Sequence, residues 1–421
     1  MTYTIEKVTT LIGARRYGDR DGNVGFILTD SRSLCFPEET LFFALKSERN
    51  DGHNYIPELY RRGVRNFVVS QVPKGYASDY PEANFLKVVN TLEALQRLAE
   101  RHRDEFNIPI VGITGSNGKT MVKEWLHQLL SPSMFVTRSP RSYNSQIGVP
   151  LSVWLLNEQT QVGVFEAGIS QPGEMLALRD IIQPTIAVLT YLGAAHQENF
   201  ESLEAKCREK IILFHDADTI VYNGDDKTVS GVVNEYKDYK GEKLFWSFRD
   251  TKAPFFVKNV EKKGNLSIIT YMYKGEEDSY SLPFIDEASV TNSIIAAVVS
   301  RRLGLSAEEL DKRMALLEPV AMRLEVKEGQ HGCTLINDSY NSDINSLDIA
   351  LDFMSRRPDH KGRRHTLILS DIFQSGESAK DLYHEVSDLC RKRGVVKFIG
   401  IGPQLCSQSD EIQISEKFFF S

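Results

Sequence analysis

The stretch from Ile108 to Thr120 constrains this chain more than any other, because it joins a strand, a glycine-rich turn and a helix. Ile110 to Ile113 form a short apolar run, which predicts a buried strand. After the turn, apolar residues recur at helical spacing, which predicts a helix. They are Met121, Val122, Trp125, Leu126, Leu129 and Leu130. The order strand, glycine turn and helix is the context in which a backbone loop binds phosphate.

The turn itself predicts how a nucleotide would be held. Its residues, all predicted to surround ATP, are Gly115, Ser116, Asn117, Gly118, Lys119 and Thr120. Glycines let backbone N–H groups close around phosphate oxygens, and the helix N-terminus adds positive potential. Lys119 is predicted to reach the β- and γ-phosphates, and Thr120 to place its hydroxyl on Mg²⁺. The turn departs from the strict G-x-x-x-x-G-K-[ST] pattern, since Gly112 lies one residue too far upstream; a solvated turn is the alternative interpretation.

Length and composition bound the class of protein. A chain of 421 residues predicts two or three domains, and 41% hydrophobic with 25% charged residues is ordinary for globular proteins. A net charge of -7 argues against a nucleic-acid-binding surface. The N-terminus has no apolar signal region, and no stretch approaches the ~20 apolar residues of a membrane span. The five scattered cysteines predict a reduced, cytoplasmic compartment.

Residues 1–107 predict a small α/β domain. Strands are expected over Leu41–Leu45 and Asn66–Ser70, with a helix over Tyr55–Arg62 between them. Two loop triplets beside these strands are candidate ligand contacts, although each alone is also typical of a turn or cap. They are Asp30-Ser31-Arg32 and Asp51-Gly52-His53.

The middle of the chain adds two further candidates at predicted strand ends. The apolar stretch Val162–Gly168 predicts a strand that has the carboxylate of Glu166 at its end. The strand predicted over Ile186–Thr190 leads to His196. Because ligands of open α/β sheets bind at the carboxyl ends of strands, Glu166 is a candidate Mg²⁺ ligand; the alternative is a solvent-facing carboxylate. For His196, a structural role and a ligand role are equally favoured by the residues alone.

Two helices in this part carry residues whose roles the pattern leaves open. Lys206, Arg208 and Lys210 on the helix Ser202–Phe214 predict a solvated basic face. Asn292, near the start of the helix Glu287–Leu303, predicts an N-terminal cap or first-turn residue. Between the two helices, residues 243–282 alternate with period two and predict antiparallel hairpins.

Residues 319–421 repeat an α/β rhythm, which predicts a parallel sheet. Strands are expected over Thr334–Asn337, Thr366–Leu369 and Val395–Ile399. Polar clusters follow the first two strands, at Asp338 to Asp343 and at Ser370-Asp371-Ile372, where ligands are expected. Since an apolar run, Phe418 to Phe420, stands at the end of the sequence, we expect an incomplete last domain and a natural protein that continues beyond residue 421.

Several segments together resemble the Mur ligase family, and the MurF branch of it in particular. Thr114 to Thr120 is the form of the phosphate loop seen in Mur ligases and in their folylpolyglutamate synthase relatives. Ser142 to Leu151 resembles N-x-N-x-x-I-G-V-P-L, and Glu166 to Glu174 resembles E-x-G-x-x-x-x-G-E. Asn337 to Asn341 resembles D-D-S-Y-N, and the Asp30 and Asp51 triplets resemble the nucleotide-sugar-binding domain of the family.

The resemblance implies an α/β fold of three domains. These are a UDP-muramoyl-peptide-binding domain over residues 1–107, a P-loop ATPase domain with a mostly parallel sheet over 108–318, and a Rossmann-like domain over 319–421. The implied activity is ATP- and Mg²⁺-dependent amide formation between a UDP-muramoyl tripeptide and D-Ala-D-Ala, through an acyl phosphate, in cytoplasmic peptidoglycan synthesis. A monomer without nucleic-acid partners is expected, and some relatives are fused to an alanine racemase.

The resemblance also implies roles for individual residues. Thr120, Glu166 and His196 correspond to Mg²⁺ ligands, and Lys210 to a lysine that is carbamylated in many relatives and helps to hold a second Mg²⁺. Asn292 corresponds to the adenine contact, Arg323 to the γ-phosphate arginine and Asp338 to the ribose contact. The implied catalytic residues are Lys119, His196, Lys210 and Arg323. The implied substrate-binding residues are Ser31, Arg32, Asp51, His53, Asn144, Gln146 and Asn341.

Two departures from the family pattern bear on these roles. Ser370 to Gly376 stands where the family has G-D-M-x-E-L-G, and Met322 replaces the glycine before Arg323. The first affects the dipeptide pocket and the second the arginine. Two alternatives stay open: another ligase of the superfamily, such as a folylpolyglutamate synthase, and a non-catalytic P-loop nucleotide-binding module.

Overall fold

The fold is that of a computed structural model of the chain. It describes residues 1–47, 50–193, 197–237, 239–320, 325–339, 344–356, 362, 364–372 and 378–421. The chain forms two compact units: the first contains residues 1–112, 135–167 and 176–184, and the second contains residues 113–134, 168–175 and 185–421. The three-domain boundaries stay a prediction.

The N-terminal part is an α/β layer built on a five-stranded sheet of order β2-β7-β6-β5-β4, in which only the β2–β7 pair is antiparallel. Phe43, Val68 and Leu86 pack on one face of this sheet, and Phe42, Phe67 and Phe85 on the other. Its elements are β1 (Tyr3–Thr4), α1 (Ile5–Ile12), β2 (Arg15–Tyr17), β3 (Asn23–Val24), β4 (Phe26–Leu28), β5 (Thr40–Phe43), α2 (Ile56–Arg61), β6 (Asn66–Val69), α3 (Tyr76–Asp79), β7 (Asn84–Lys87) and α4 (Thr91–Arg103). The α/β prediction for this part is confirmed.

His102, on α4, is a buried neutral histidine within the first unit. Its exposed fraction is 1%, and its Nδ1 lies 2.8 Å from the Tyr3 hydroxyl. Its Nε2 lies 3.1 Å from the carbonyl oxygen of Leu156. Burial lowers the pKa of His102 from 6.5 to about 4, because the imidazolium would lose its hydration there.

We expect His102 to make the protein less stable as the pH falls. In the unfolded chain the imidazole binds a proton near pH 6.5, whereas the folded chain resists protonation down to about 4. Its contribution to the free energy of unfolding is therefore intact above pH 6.5 and is lost between pH 6.5 and 4, by up to about 3 kcal/mol. Urea unfolding at pH 7.5 and pH 5 measures this loss, which should shrink in His102→Gln and persist in His215→Gln, a variant of a surface histidine. An unchanged pH dependence in His102→Gln would contradict the assignment.

The central part holds a six-stranded sheet of order β13-β12-β11-β8-β10-β9. The pairs β9–β10, β11–β12 and β12–β13 are parallel, as predicted. All of β8 is buried, and α5 begins directly after the glycine turn, so the predicted strand, turn and helix are present. The elements are β8 (Ile110–Thr114), α5 (Lys119–Leu130), β9 (Val136–Arg138), α6 (Gly148–Val153), β10 (Val162–Glu166), α7 (Glu174–Ile182), β11 (Ile186–Leu189), α8 (Leu203–Lys210), β12 (Thr219–Val221), α9 (Lys227–Glu235) and β13 (Glu242–Lys243).

The predicted hairpins follow as a four-stranded sheet of order β14-β15-β16-β17. The β15–β16 and β16–β17 pairs are antiparallel, with turns at Gly264 and Gly275, which have positive φ. Two helices complete this part. The elements are β14 (Trp246–Ser247), β15 (Phe255–Lys263), β16 (Leu266–Tyr273), β17 (Glu276–Leu282), α10 (Glu287–Arg302) and α11 (Ala307–Met314).

The C-terminal part contains the parallel sheet β20-β21-β22. The prediction that Thr334–Asn337 shares this sheet is wrong, because that strand, β19, pairs antiparallel with β18 in a separate two-stranded sheet. A short turn at Gln330–Gly332 makes this local pairing possible. The elements are β18 (Glu325–Glu328), β19 (Thr334–Asn337), α12 (Ile344–Arg356), β20 (His365–Ser370), α13 (Ala379–Lys392), β21 (Val395–Ile401), α14 (Pro403–Ser407) and β22 (Glu416–Phe420). Within the described ranges, no helix has the length and apolarity needed to cross a membrane.

Candidate active site

The glycine turn between β8 and α5 has a backbone shape that two of its glycines make possible. Gly115 and Gly118 have φ values of +142° and +87°. A Cβ atom on Gly115 would lie 2.0 Å from Thr190 Oγ1, and one on Gly118 would lie 2.5 Å from Asn292 Oδ1. Both positions therefore exclude a larger residue, for reasons of conformation and of space.

The segment after β11 holds this turn in place through hydrogen bonds. The backbone N–H of Ser116 donates to the carbonyl of Tyr191 at 2.6 Å, and the N–H of Gly193 donates to Ser116 Oγ at 2.9 Å. The hydroxyl of Thr190 donates to the carbonyl of Asn117 at 2.5 Å. Thr190 is not among the predicted site residues, although it stands at the end of a predicted strand, where ligand contacts are expected.

Lysine side chains converge on the carbonyl groups of the turn. Lys119 Nζ donates to the carbonyls of Gly115 at 2.8 Å and Ser116 at 3.0 Å. Lys210 Nζ donates to the same Gly115 carbonyl at 3.3 Å. The pKa of Lys210 is far below its ordinary value, first because of burial and then because of the charges of Lys119 and Lys206.

The predicted solvated face of α8 is wrong for two of its three basic residues. Lys206 is 1% exposed and Lys210 is 2% exposed, whereas Arg208 is on the surface and pairs with Glu235 at 2.8 Å. The physical reason is that Lys206 and Lys210, four residues apart, share the helix face that packs on the glycine turn and on the segment after β11.

A cavity of about 330 Å³ opens beside the turn in the second unit. It brings the turn together with two other predicted nucleotide contacts, Asn292 and Asp338. The lining residues are Asn117, Gly118, Thr120, Met121, Tyr191, Glu287, Ala288, Thr291, Asn292, Asp338, Ser346, Asp348 and Ile349. Asn292 does not cap its helix, because Asp286 is the N-cap of α10 and accepts from Ser289 N at 2.8 Å.

The cavity has the chemistry that a nucleotide requires. The side-chain amide of Asn117 is buried, and no hydrogen bond to it is found in the described part of the chain. The carboxylate of Asp338 lines the same cavity. Hydrogen-bonding groups of these kinds, beside a glycine turn with a lysine, suit a ligand that carries phosphates, hydroxyls and a base.

Glu166 lies in the first unit, as does the loop that carries two predicted substrate contacts, Asn144 and Gln146. Glu166 is fully buried, so the alternative of a solvent-facing carboxylate is wrong. Its N–H donates to Ser139 Oγ at 3.2 Å, and Asn144 Nδ2 donates to Glu166 Oε2 at 3.4 Å. Gln146 Oε1 accepts from Gln96 Nε2 at 2.9 Å, which ties the loop to α4.

Both N-terminal triplets form local caps. Asp30 accepts from Arg32 N at 3.0 Å and pairs with the Arg32 guanidinium at 2.6 Å; this bonding lowers the pKa of Asp30 to about 2. Asp51 Oδ1 lies 2.6 Å from His53 Nδ1, and His53 Nε2 accepts from Ser70 N at 3.1 Å. The His53 ring is thus fixed with Nδ1 protonated. Ser31, Arg32, Asp51 and His53 stay predicted substrate contacts.

The remaining predicted site residues are either outside the described part of the chain or have a structural role. His196, Arg323 and Asn341 fall outside the described residues. Asp371, at a predicted ligand edge, is instead buried and accepts from Gln404 N at 3.1 Å and Leu405 N at 2.8 Å, which caps α14. No cluster of three or more His, Cys, Asp or Glu residues suited to a metal occurs among the residues that the structure describes.

Comparison with known proteins identifies the middle part of the chain. Residues 113–300 match the model of the Mur ligase middle domain. These residues form a Mur ligase middle domain. Such a domain implies ATP-dependent ligase activity, and the curated relatives are named as ligases, so the chain is an enzyme of that class.

Individual relatives agree with this assignment. The UDP-N-acetylmuramoyl-tripeptide–D-alanyl-D-alanine ligase of Bacillus subtilis is 28% identical over 368 residues, which are 85% of this chain and 76% of that protein. The crystal structure of MurF from Acinetobacter baumannii superposes with a TM-score of 0.85 at 22% identity, covering 100% of this chain and 90% of that one. MurF from Thermotoga maritima in complex with ADP gives 0.77 at 22% identity, covering 94% and 88%. The predicted α/β ligase fold is confirmed.

Proposed function

We propose that this chain is a Mur ligase that joins D-alanyl-D-alanine to UDP-N-acetylmuramoyl tripeptide in the cytoplasm, as a step of peptidoglycan synthesis. The observation that carries the ATP chemistry is the glycine turn, with Lys119 and the buried Lys210 bonded to its Gly115 carbonyl. The similarity to the Bacillus subtilis ligase over 85% of the chain supports the choice of substrates.

The reaction forms one amide bond at the expense of one phosphoanhydride bond. The terminal carboxylate of the tripeptide attacks the γ-phosphorus of ATP, and the bond to ADP breaks, which leaves an acyl phosphate. The amine of D-Ala-D-Ala attacks the acyl carbon, loses a proton and expels inorganic phosphate. Such phosphoryl transfer needs positioning and charge neutralisation more than covalent help. The turn and Lys119 would supply both.

Mg²⁺ suits the oxygen donors that the chain offers. It prefers few protein oxygens and keeps water and phosphate as its remaining ligands, so a protein cluster of three acidic residues is not required. We propose Thr120, Glu166 and His196 as the residues that hold it. When bound, Mg²⁺ would neutralise charge on the phosphates. Lys210, once carbamylated, would add an anionic oxygen ligand for a second ion.

Glu166→Gln should weaken the affinity of the enzyme for Mg²⁺. The substitution keeps the size of this fully buried side chain but removes its negative charge. We expect the Mg²⁺ concentration for half-maximal rate to rise about 10-fold or more. Titration of the initial rate with Mg²⁺ measures this shift. The control is Glu308→Gln on α11, a surface residue paired with Lys312. If Glu166→Gln leaves the titration unchanged, Glu166 is not a metal ligand.

Phosphate release from ATP and Mg²⁺ tests the proposed function. The assay is run with UDP-muramoyl tripeptide and D-Ala-D-Ala separately and together, and release should require both. Release that requires a folate and glutamate instead would identify the alternative, a folylpolyglutamate synthase. Nucleotide binding without turnover on either pair would favour a non-catalytic module. We also propose a monomer, which sedimentation at assay concentration would test.

A further inference from the structure

Lys206 is a buried cation that none of the motifs above includes. It lies in the middle of α8 with an exposed fraction of 1%, and its Nζ donates to the carbonyl of Gly193 at 2.6 Å. Lysine is among the residues least often buried completely, because its ammonium loses hydration. Solubility and helix propensity do not require a lysine at such a position.

The carbonyl that Lys206 contacts is part of the segment that holds the glycine turn. Ser116 Oγ donates to the same Gly193 carbonyl at 3.1 Å, and Gly193 N donates back to Ser116 Oγ at 2.9 Å. The Ser116 carbonyl in turn accepts from Lys119 Nζ at 3.0 Å. A continuous series of hydrogen bonds thus joins Lys206, through Gly193 and Ser116, to the lysine predicted to contact the phosphates.

We propose that Lys206 is a positioning residue for nucleotide binding, which acts by fixing Gly193 against Ser116 and so holds the glycine turn in its phosphate-binding shape. This inference rests on the proposed function. It deepens that function by adding a residue that supports the turn from behind. Lys206 itself need not touch the substrate, because its ammonium is already engaged by Gly193.

The surroundings of Lys206 explain why a positively charged side chain is suited to this position behind the glycine turn. Lys119 and Lys210 approach the turn as well, and both donate to the Gly115 carbonyl. Backbone carbonyls offset part of the positive charge of Lys119 and Lys206, and a polyphosphate would offset the rest. A neutral side chain at position 206 would leave the Gly193 carbonyl without its charged donor and would lower the positive potential behind the turn.

The test compares Lys206→Met with a matched surface variant of the same helix. Lys206→Met keeps the length of the side chain but removes the donor, and Arg208→Met changes a basic residue on the outside of α8. Isothermal titration with ADP should show a Kd raised by roughly 10- to 100-fold in Lys206→Met. It should stay within about twofold of wild type in Arg208→Met. The KM values for tripeptide and dipeptide should remain near those of wild type, because only the nucleotide site is affected.

A double-mutant cycle with Ser116→Ala separates positioning from a merely structural role. If Lys206 acts through Gly193 and Ser116, the Kd of the double variant should be close to that of the weaker-binding single variant. Independent, multiplying losses would overturn the proposal, as would an unchanged ADP affinity in Lys206→Met. Circular dichroism checks that each variant is folded; if Lys206→Met does not fold, the cycle is built on Lys206→Gln. Because ADP binding requires no peptide substrate, the result stands apart from failure of the ligase assay.

Discussion

Lys119→Ala should lower the kcat/KM for ATP by about 10³-fold, the largest effect that we expect from one side chain. Lys119 follows the glycine turn directly, and its ammonium lies within 3.0 Å of the Ser116 carbonyl. A cation at this position can stabilise the negative charge of the phosphoryl group as it is transferred, and alanine has no charge to replace it. Initial rates over a range of ATP concentrations measure the loss.

A surface lysine provides the control for that experiment. Lys312 on α11 pairs with Glu308 at 2.6 Å, with both side chains exposed, so Lys312→Ala should leave the rate near that of wild type. Thermal unfolding of both variants shows whether a loss of rate reflects loss of fold. If folded Lys119→Ala turns over at the wild-type rate, the assignment of the glycine turn as a phosphate-binding loop is wrong.

Lys210→Met should reduce kcat by about 100-fold and abolish any dependence of the rate on dissolved CO₂. Burial and neighbouring cations lower the pKa of Lys210, so its amine is held neutral more readily than that of a surface lysine. A neutral amine can attack CO₂: the N–C bond forms, an electron pair moves to oxygen, and one proton leaves for solvent. The product is a carbamate, which we propose as a metal ligand.

The carbamate can be detected independently of activity. Carbon NMR with ¹³C-labelled bicarbonate should show a carbamate signal in the wild type that is absent from Lys210→Met. Arg208→Met, which alters the exposed side of the same helix, should retain the signal. A wild-type enzyme with no such signal and with full activity after removal of CO₂ would show that Lys210 acts as an amine instead.

The strand, turn and helix around Lys119 could be predicted because their signals are local. The apolar run of β8, the glycines and the helical spacing of α5 lie within 21 consecutive residues, from Ile110 to Leu130. The hairpins β15 to β17 were equally predictable, since period-two alternation and glycine turns mark them in the sequence. In both cases the chain specifies structure through neighbours in sequence.

The burial of Lys206 and Lys210 could not be predicted from α8 alone. A run of basic residues on a helix is usually solvated, and what reverses this here is contact with carbonyls 13 and 95 residues away in sequence. The role of Asp371 was hidden for the same reason, because it caps a helix that begins 32 residues later, at Pro403. Tertiary contacts of this kind leave no periodic signal.

The pairing of β19 was predicted wrongly for a different reason. The alternation of strands and helices favoured a parallel sheet, but a short polar strand, β18, lies just ahead of β19 and pairs with it through a tight turn. Glu325 to Glu328 has too few apolar residues to be recognised as a strand. The antiparallel pairing with β18 is favoured over a place in the parallel sheet because it closes a shorter loop.

Mass spectrometry of the ligation product measures the proposed amide formation directly. The enzyme is incubated with ATP, Mg²⁺, UDP-N-acetylmuramoyl tripeptide and D-Ala-D-Ala, and the nucleotide-sugar species is weighed. We predict a product heavier than the tripeptide by one D-Ala-D-Ala less one water, formed in equal amount to ADP and about 10³-fold more slowly in Lys119→Ala. ATP hydrolysis with the nucleotide-sugar mass unchanged would contradict this prediction.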